Sequence, residues 1–509
     1  MTTTQILILA SIIVYLIVTI AIGVWSSKKN ETTEDFYLGG RKLGPIVTAM
    51  SAEASDMSSY LLMGVPGVAY VSGLADATWT IIGLAVGTYL NWLIVAKRLR
   101  IYTVKANNST TVPEFISNRF GDDKKILSVI AAAVIIIFFV PYTASGFSAC
   151  GKLFSTLFGM NYLTAMIISA IVIVAYTTLG GFLAASTTDF IQSIIMTFAI
   201  LTVLGYGVVT AGGFENVKVN AQGMAGYLSM VQTHTADGAA PYGPITILST
   251  LAWGLGYFGM PHILLRFMAI EDHNKIKLSR RIATIWVVIS MAIAVGIGIA
   301  GRAMSEVGVI PKLEDGETVL IEISRLLASH GALAAIIAGV ILAGILAATM
   351  STADSQLLAA ASSVSKDILN GVFWKNMSEK TAMLLARITV LVISVIAMII
   401  ARDPNSSVFS VVSFAWAGFG AAFGPVILTA LFWRRTNKQG ALAGMVCGGV
   451  MVFVWKFLVR PMGGAWNIYE LLPAFIVALA AIIIVSLLTA APEKEITEVF
   501  DDVKKELNA

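Results

Sequence analysis

Trp253-Gly254-Leu255-Gly256-Tyr257-Phe258-Gly259-Met260-Pro261-His262 lies inside an apolar run covering residues 244–270. Three glycines within six residues, with a proline just after, disfavour a continuous helix by several kcal/mol in water. A second interruption, Ser51-Ala52-Glu53-Ala54-Ser55-Asp56-Met57-Ser58-Ser59-Tyr60, followed by Gly64, Pro66 and Gly67, falls in the run 45–70. At membrane depth, irregular backbone is tolerated only where it is buried in protein or lines a cavity. The alternative for each is a simple proline kink between packed helices.

The rest of the chain supplies the membrane context. Of its 509 residues, 57% are hydrophobic and 13% charged, with a mean hydropathy of +0.83. Soluble domains carry about 25% charge, so an ordinary soluble enzyme is excluded. The apolar residues come in unbroken runs of helix length, whereas an outer-membrane barrel alternates apolar and polar positions. A net charge of +4 is far too small for a nucleic-acid footprint. Cys150 and Cys447 sit in apolar surroundings and suggest neither a disulfide framework nor a zinc site. The composition predicts an all-α polytopic membrane protein.

A span needs roughly 20 mostly apolar residues. Candidates are 5–25, 45–70, 76–96, 126–150, 161–180, 189–212, 244–270, 282–301, 332–356, 381–401, 407–433, 438–458 and 470–490, thirteen in all. Lys/Arg-rich loops stay in the cytoplasm. The basic segments are 97–125, 271–281, Arg434-Arg435-Lys438 and the loop with Lys28, Lys29, Arg41 and Lys42. All four fall on one side if the N-terminus is outside, the C-terminus is cytoplasmic and the first run is retained as a span. The tail 493–509 is expected as a frayed cytoplasmic helix.

The two interruptions stand five spans apart, so each opens a block of five. Five is odd, so the blocks cross the membrane in opposite senses. Paired interrupted helices at corresponding positions point to an inverted-repeat transporter with its site at midplane. The organisation read from the sequence is a leading helix and loop (1–44), a first repeat (45–212), an external loop (213–243), a second repeat (244–433), two trailing helices (434–490) and a tail (491–509).

The site can be sketched from residue types. Sodium takes hard oxygen ligands, including carbonyls freed where a helix unwinds. Ser351 and Thr352, with the Ala348 carbonyl, are placed to face carbonyls from Ala54 and Met57. The competing reading is that Ser and Thr bond back to their own helix or glue neighbours together. Intramembrane acids are costly and usually functional: Asp56 lies in the first break, Glu53 one turn earlier, and Asp354 just after the hydroxyl pair. Asp189 reads equally well as a helix cap, and His262 as a packed, hydrogen-bonded histidine. Tyr60, Tyr142, Trp253, Tyr257 and Phe258 stand near the breaks, where half-helix N-termini attract carboxylates and aromatic faces attract cations. A zwitterionic amino acid suits both. No phosphate loop, metal-ligand spacing or nucleophile–base arrangement appears, so no enzyme chemistry is expected.

With these residues in view, the chain resembles the sodium/solute symporter family, in particular its bacterial sodium/proline branch. The resemblance runs over nearly the whole chain. It is carried by Phe36-Tyr37-Leu38-Gly39-Gly40-Arg41, Ser55-Asp56-Met57-Ser58, Tyr142-Thr143-Ala144-Ser145-Gly146, Gly180-Gly181-Phe182-Leu183-Ala184, Trp253–Phe267 and Phe414–Pro425. It implies the leucine-transporter type fold, a five-plus-five inverted repeat with one leading and two trailing helices. It also implies sodium-coupled import of L-proline across the cell inner membrane by alternating access. By position, it implies a sodium site of Ala54, Met57, Ala348, Ser351 and Thr352 with Asp56 nearby. The implied substrate pocket holds Ser58, Tyr142, Trp253, Tyr257, Phe258 and Pro261, with Ser59 and Tyr60 touching it. Arg41 matches a functionally sensitive arginine, and Asp189 an acid tied to sodium release. Glu53 and Asp354 depart from the enterobacterial pattern and add charge along the ion route. The other readings are import of a betaine or another small amino acid, or a transporter-like sensor. No protein partner is expected.

Overall fold

The computed structural model describes residues 1–27, 33–374 and 377–508; Lys28 and Lys29 of the topology reading lie outside them. Among the described residues, ten helices are long and apolar enough to cross a membrane, from Thr3–Trp25 to Leu471–Leu488. A shorter apolar helix, Tyr162–Gly180, and two interrupted helices occupy the other segments read as spans. Apolar side chains such as Val14, Ile17, Ile285, Leu391 and Val395 point outward and remain exposed. Without lipid that surface would be an aggregation hazard; in a bilayer it is the solvated face.

Both interruptions are present, and each takes its own form. Helix Pro45–Ser59 breaks at Ser58, which adopts φ 50° and ψ −167°, and resumes through a widened turn, Tyr60–Gly64, into Val65–Ser72. The discontinuity therefore falls at Ser58, ahead of Gly64, Pro66 and Gly67. The second broken helix runs Pro244–Leu251, tightens to a 3-10 stretch over Ala252–Gly259, turns at extended Met260 and restarts at Pro261–Ala269. Proline at the first position of the restarted half suits a residue without an N–H.

Freed backbone groups are satisfied by neighbours. The Trp253 carbonyl accepts from Trp416 Nε1 at 2.7 Å and the Tyr257 carbonyl from Asn91 Nδ2 at 2.9 Å. The Ala54 carbonyl accepts from Ser351 Oγ at 2.8 Å and the Asp56 carbonyl from the Tyr142 hydroxyl at 3.1 Å. Glycine lets the 3-10 stretch lie directly on the helix beginning at Leu74: a Cβ at Gly254 would stand 2.2 Å from the Gly83 carbonyl oxygen. Gly254→Ala is therefore expected to destabilise the protein by about 1–3 kcal/mol through overpacking against rigid backbone. A thermal-unfolding series in detergent measures it, and an unchanged midpoint would mean that this contact yields easily.

Helix Ala332–Ser362 is the hub, packing on Thr3–Ser27, Ile126–Phe158, Phe182–Thr210 and the first broken helix. Several boundaries differ from the sequence reading. Helix Ile126–Phe158 runs a further two turns, and helix Ile276–Glu306 begins before residue 282. The loop 97–125 contains helices Ala96–Lys105 and Val112–Arg119, and the segment 213–243 folds into helix Phe214–Gln222 and a hairpin, Gln232–Thr235 with Gly238–Pro241. The tail is not frayed. Helix Lys494–Asn508 buries Phe500 and Val503, with Asp501 bound to Arg434 and Glu506 to Lys105. An amphipathic helix docks when a partner surface covers its apolar side, and the preceding sequence alone does not display that surface.

Candidate functional site

The break at Ser58 and the 3-10 stretch face each other across the centre of the bundle. Between them lies a residual cavity of about 10 Å³ bordered by Asp56, Tyr60, Tyr142, Trp253 and Trp416. Tyr60 and Phe409 stack with centroids 5.4 Å apart, and Trp253 stands 5.5 Å from Tyr60 and 5.3 Å from Phe409. These rings close the space toward the face that carries loop 302–331. Beyond them opens an aqueous vestibule of about 570 Å³ lined by Asp76, Lys152, Asp315, Glu317 and Phe409 among others.

Asp56 anchors the pocket. Its Oδ2 accepts from the Tyr257 hydroxyl at 2.6 Å, and Tyr257 meets Trp416 edge-on at 5.0 Å. Ser58 borders a second small cavity shared with Tyr142, Thr349, Thr352 and Gln356, so the aromatic pocket and the hydroxyl pair are separated by one turn of broken helix. Ser59 is buried beside them. Tyr257, Phe258 and Pro261 border neither residual cavity. Adjacent residues of a 3-10 turn diverge by about 120°, so with Tyr257 turned toward Asp56, Phe258 faces elsewhere.

Part of the oxygen set expected for an ion is brought together, while the Met57 carbonyl accepts from the Tyr60 N–H. Ser351 Oγ bonds both the Ala54 carbonyl (2.8 Å) and the Ala348 carbonyl (3.0 Å). Thr352 Oγ1 is buried without a hydrogen-bond partner. Hydroxyls, freed carbonyls and an unpaired buried oxygen form a hard-donor set suited to sodium. The back-bonding alternative accounts for part of Ser351, since it bonds its own helix at Ala348, but not for its bond across to Ala54.

One turn toward the basic face sits a cluster that the sequence reading only half recognised. Asp189 is not a cap: the helix Phe182–Thr210 begins seven residues earlier, and Asp189 lies fully buried inside it. Its Oδ2 accepts from Ser51 Oγ at 2.7 Å and from Arg266 Nη2 at 3.1 Å. Arg266 also donates to Ser51 Oγ, the His262 carbonyl and Ser355 Oγ, and lies over the Phe182 ring at 4.9 Å. Ser355 Oγ in turn lies 3.3 Å from Asp354 Oδ1. Arg266 was missed, yet its signal was present: an arginine inside an apolar run with no charged neighbour in sequence. His262 is packed against Phe139 and Tyr142, next to the Ser55 backbone.

Arg41 lies remote from the pocket. Following Gly39 and Gly40, it adopts φ 54° and donates to Asn108, Thr103, the Met268 carbonyl and the Ser109 carbonyl. It clasps the loop after the leading helix to the end of the second broken helix. Nearby, burial opposes ionisation of Glu114, but Lys366 Nζ at 2.9 Å and the Thr110 N–H and hydroxyl hold its carboxyl below the usual range.

Paired broken helices around a closed central pocket, with buried hydroxyls and carbonyls beside it, define a secondary transporter of the leucine-transporter type. The family model described as the sodium:solute symporter family matches residues 36–448, and the chain belongs to that family. A sodium/proline symporter of Haemophilus influenzae is 43% identical over 502 residues, covering 97% of this chain and 96% of that protein. The high-affinity proline transporter PutP of Bacillus subtilis is 42% identical, covering 94% and 98%. Among solved structures, a Na+-coupled sialic acid symporter in a substrate-bound outward-open state matches with a TM-score of 0.79 at 18% identity, over 96% of this chain and 99% of that one. The protein is a multi-pass membrane protein of this transporter fold.

Proposed function

We propose that this protein imports L-proline across the inner membrane, driven by sodium moving down its gradient, by alternating access. The observation that carries the reading is the bond from Ser351 to the Ala54 carbonyl beside Thr352, one helical turn from an aromatic pocket anchored on Asp56. The full-length relatives named for proline transport support the substrate. Sodium is held by the carbonyls of Ala54, Met57 and Ala348 and the hydroxyls of Ser351 and Thr352. Ser58, Tyr60, Tyr142, Trp253 and Tyr257 hold the substrate, with the pyrrolidine ring against the aromatics. Because Met57 serves the ion and Ser58 the substrate, filling one site preorganises the other. The basic loops place the N-terminus outside, the C-terminus in the cytoplasm and loop 302–331 outside. Each sodium charge supplies about 2.3 kcal/mol per 100 mV, enough for more than tenfold accumulation at about 1.4 kcal/mol per decade.

Radiolabelled proline uptake into proteoliposomes, with and without an inward sodium gradient, tests the function; uptake indifferent to sodium would end it. Ser351→Ala and Thr352→Ala are each expected to raise the sodium half-saturation about tenfold, since each removes a buried oxygen worth about 1–3 kcal/mol. Sodium titrations of uptake measure this, and wild-type values in both variants would place the ion elsewhere.

A further inference from the structure

Four buried oxygens lie around Tyr257, in residues at most 5% exposed. Glu53 Oε2, Asp56 Oδ1 and Asn91 Oδ1 have no hydrogen-bond partner, and the Thr88 hydroxyl meets only that of Tyr257. Glu53 and Asp56 are one turn apart on one helix face, and Thr88 and Asn91 likewise on the helix Leu74–Lys105. Tyr257 joins the two faces: its hydroxyl bonds Asp56 Oδ2 and lies beside Thr88, and its carbonyl accepts from Asn91.

Each carboxylate is fixed through one oxygen and presents the other. Trp92 Nε1 donates to Glu53 Oε1 at 3.0 Å, as the Tyr257 hydroxyl does to Asp56 Oδ2 at 2.6 Å. Such outer hydrogen bonds are what orient ligating carboxylates at metal sites. Among the described residues no Lys, Arg or His forms an ion pair with Glu53 or Asp56; Arg266, one turn away, pairs with Asp189. Two buried carboxylates sharing one site without a counter-charge are costly. The four oxygens are two of carboxylates, a hydroxyl and an amide carbonyl, a hard set with no nitrogen or sulfur.

We propose that Glu53, Asp56, Thr88 and Asn91 bind a second sodium ion, so that two sodium ions enter with each substrate molecule. This deepens the proposed sodium-coupled symport and rests on it. The site shares Asp56 and Tyr257 with the substrate pocket, which ties its occupancy to substrate binding.

Two measurements test it. Equilibrium binding of radioactive sodium to purified protein, without proline, is expected to give two ions per chain in the wild type and one in Glu53→Gln. Trp92→Phe is expected to weaken the second ion about 10- to 100-fold while leaving the first unchanged, the usual consequence of losing an outer hydrogen bond at a metal site. In proteoliposomes, the membrane potential that nulls proline flux is expected to report two charges per proline in the wild type and one in Glu53→Gln. One bound ion in the wild type, or Glu53→Gln retaining two, overturns the proposal. One bound sodium with a second charge that follows an imposed pH gradient overturns it as well, since the pair then takes a proton. Absence of sodium-driven proline uptake with two bound ions would instead strike the proposed substrate and leave the second site standing.

Discussion

Replacing Arg266 by alanine is expected to destabilise the protein by about 3–5 kcal/mol, the usual consequence of removing one partner of a buried ion pair, and to abolish transport. Arg266 is 1% exposed and binds groups on four helices: Ser51, Asp189, the His262 carbonyl and Ser355. Its loss leaves Asp189 and the adjacent Asp354 as buried carboxylates with no cation among the described residues. Arg266→Lys keeps the charge but loses the planar fork that serves several acceptors at once, so it should recover part of the stability and little of the rate. Because the cost comes mainly from the stranded carboxylate, Arg266→Ala combined with Asp189→Asn should be milder than the sum of the two changes. Thermal unfolding of the four proteins in detergent provides the cycle. Strict additivity would show that Arg266 and Asp189 do not act as a pair.

The second large effect is expected at Glu317, on the opposite face. Its carboxylate is 7% exposed and accepts four hydrogen bonds: from Lys152 Nζ at 2.7 Å, Ser407 Oγ at 2.9 Å, and the Val408 and Phe409 N–H groups at 3.0 Å. An anion at the start of helix Val408–Phe432 is favourably placed against the helix dipole. The same contacts hold Phe409 over Tyr60 and Trp253, between the pocket and the 570 Å³ vestibule. Removing the carboxylate leaves buried Lys152 with Asp315 as its one remaining ion-pair partner among the described residues and frees Phe409, so the closed arrangement loses support that an outward-open one does not need. Every 1.4 kcal/mol of that difference shifts the balance about tenfold. With Val412→Cys as a reporter at the pocket, Glu317→Gln should therefore raise labelling by a membrane-impermeant maleimide at least about tenfold and slow maximal uptake. Cys150, fully buried in its helix, is the internal control: its labelling should stay unchanged. Unaltered labelling at Val412→Cys would show that Glu317 only braces the loop, and labelling of Cys150 would show general loosening.

Much of this protein was legible before any coordinates. Membrane residence follows from long apolar runs, because lipid cannot hydrogen-bond to backbone and only self-satisfied helices cross it. The second broken helix follows from local chemistry, since its glycine cluster and proline disfavour helix; the first breaks at Ser58, ahead of its glycines and proline. The pairing of Ser351 with Ala54 was accessible for the same reason: an unwound segment must expose carbonyls, and a facing hydroxyl can meet them.

What remained hidden depends on which faces meet. Tyr257 and Phe258 are neighbours on one 3-10 stretch, and that Tyr257 is the one that meets Asp56 is set by the packing around it. Asp189 reads as a cap from the apolar run 189–212, but its helix begins at Phe182, seven residues earlier, and holds it inside. The tail reads as frayed because the surface that buries Phe500 and Val503, with Lys105 and Arg434 beside it, is built by distant segments. Arg266 with Asp189, 77 positions apart, and Glu53 with Trp92, 39 apart, are partners only because distant helices cross there. A sequence states which groups cannot tolerate lipid; only the tertiary structure decides which of them neutralise one another.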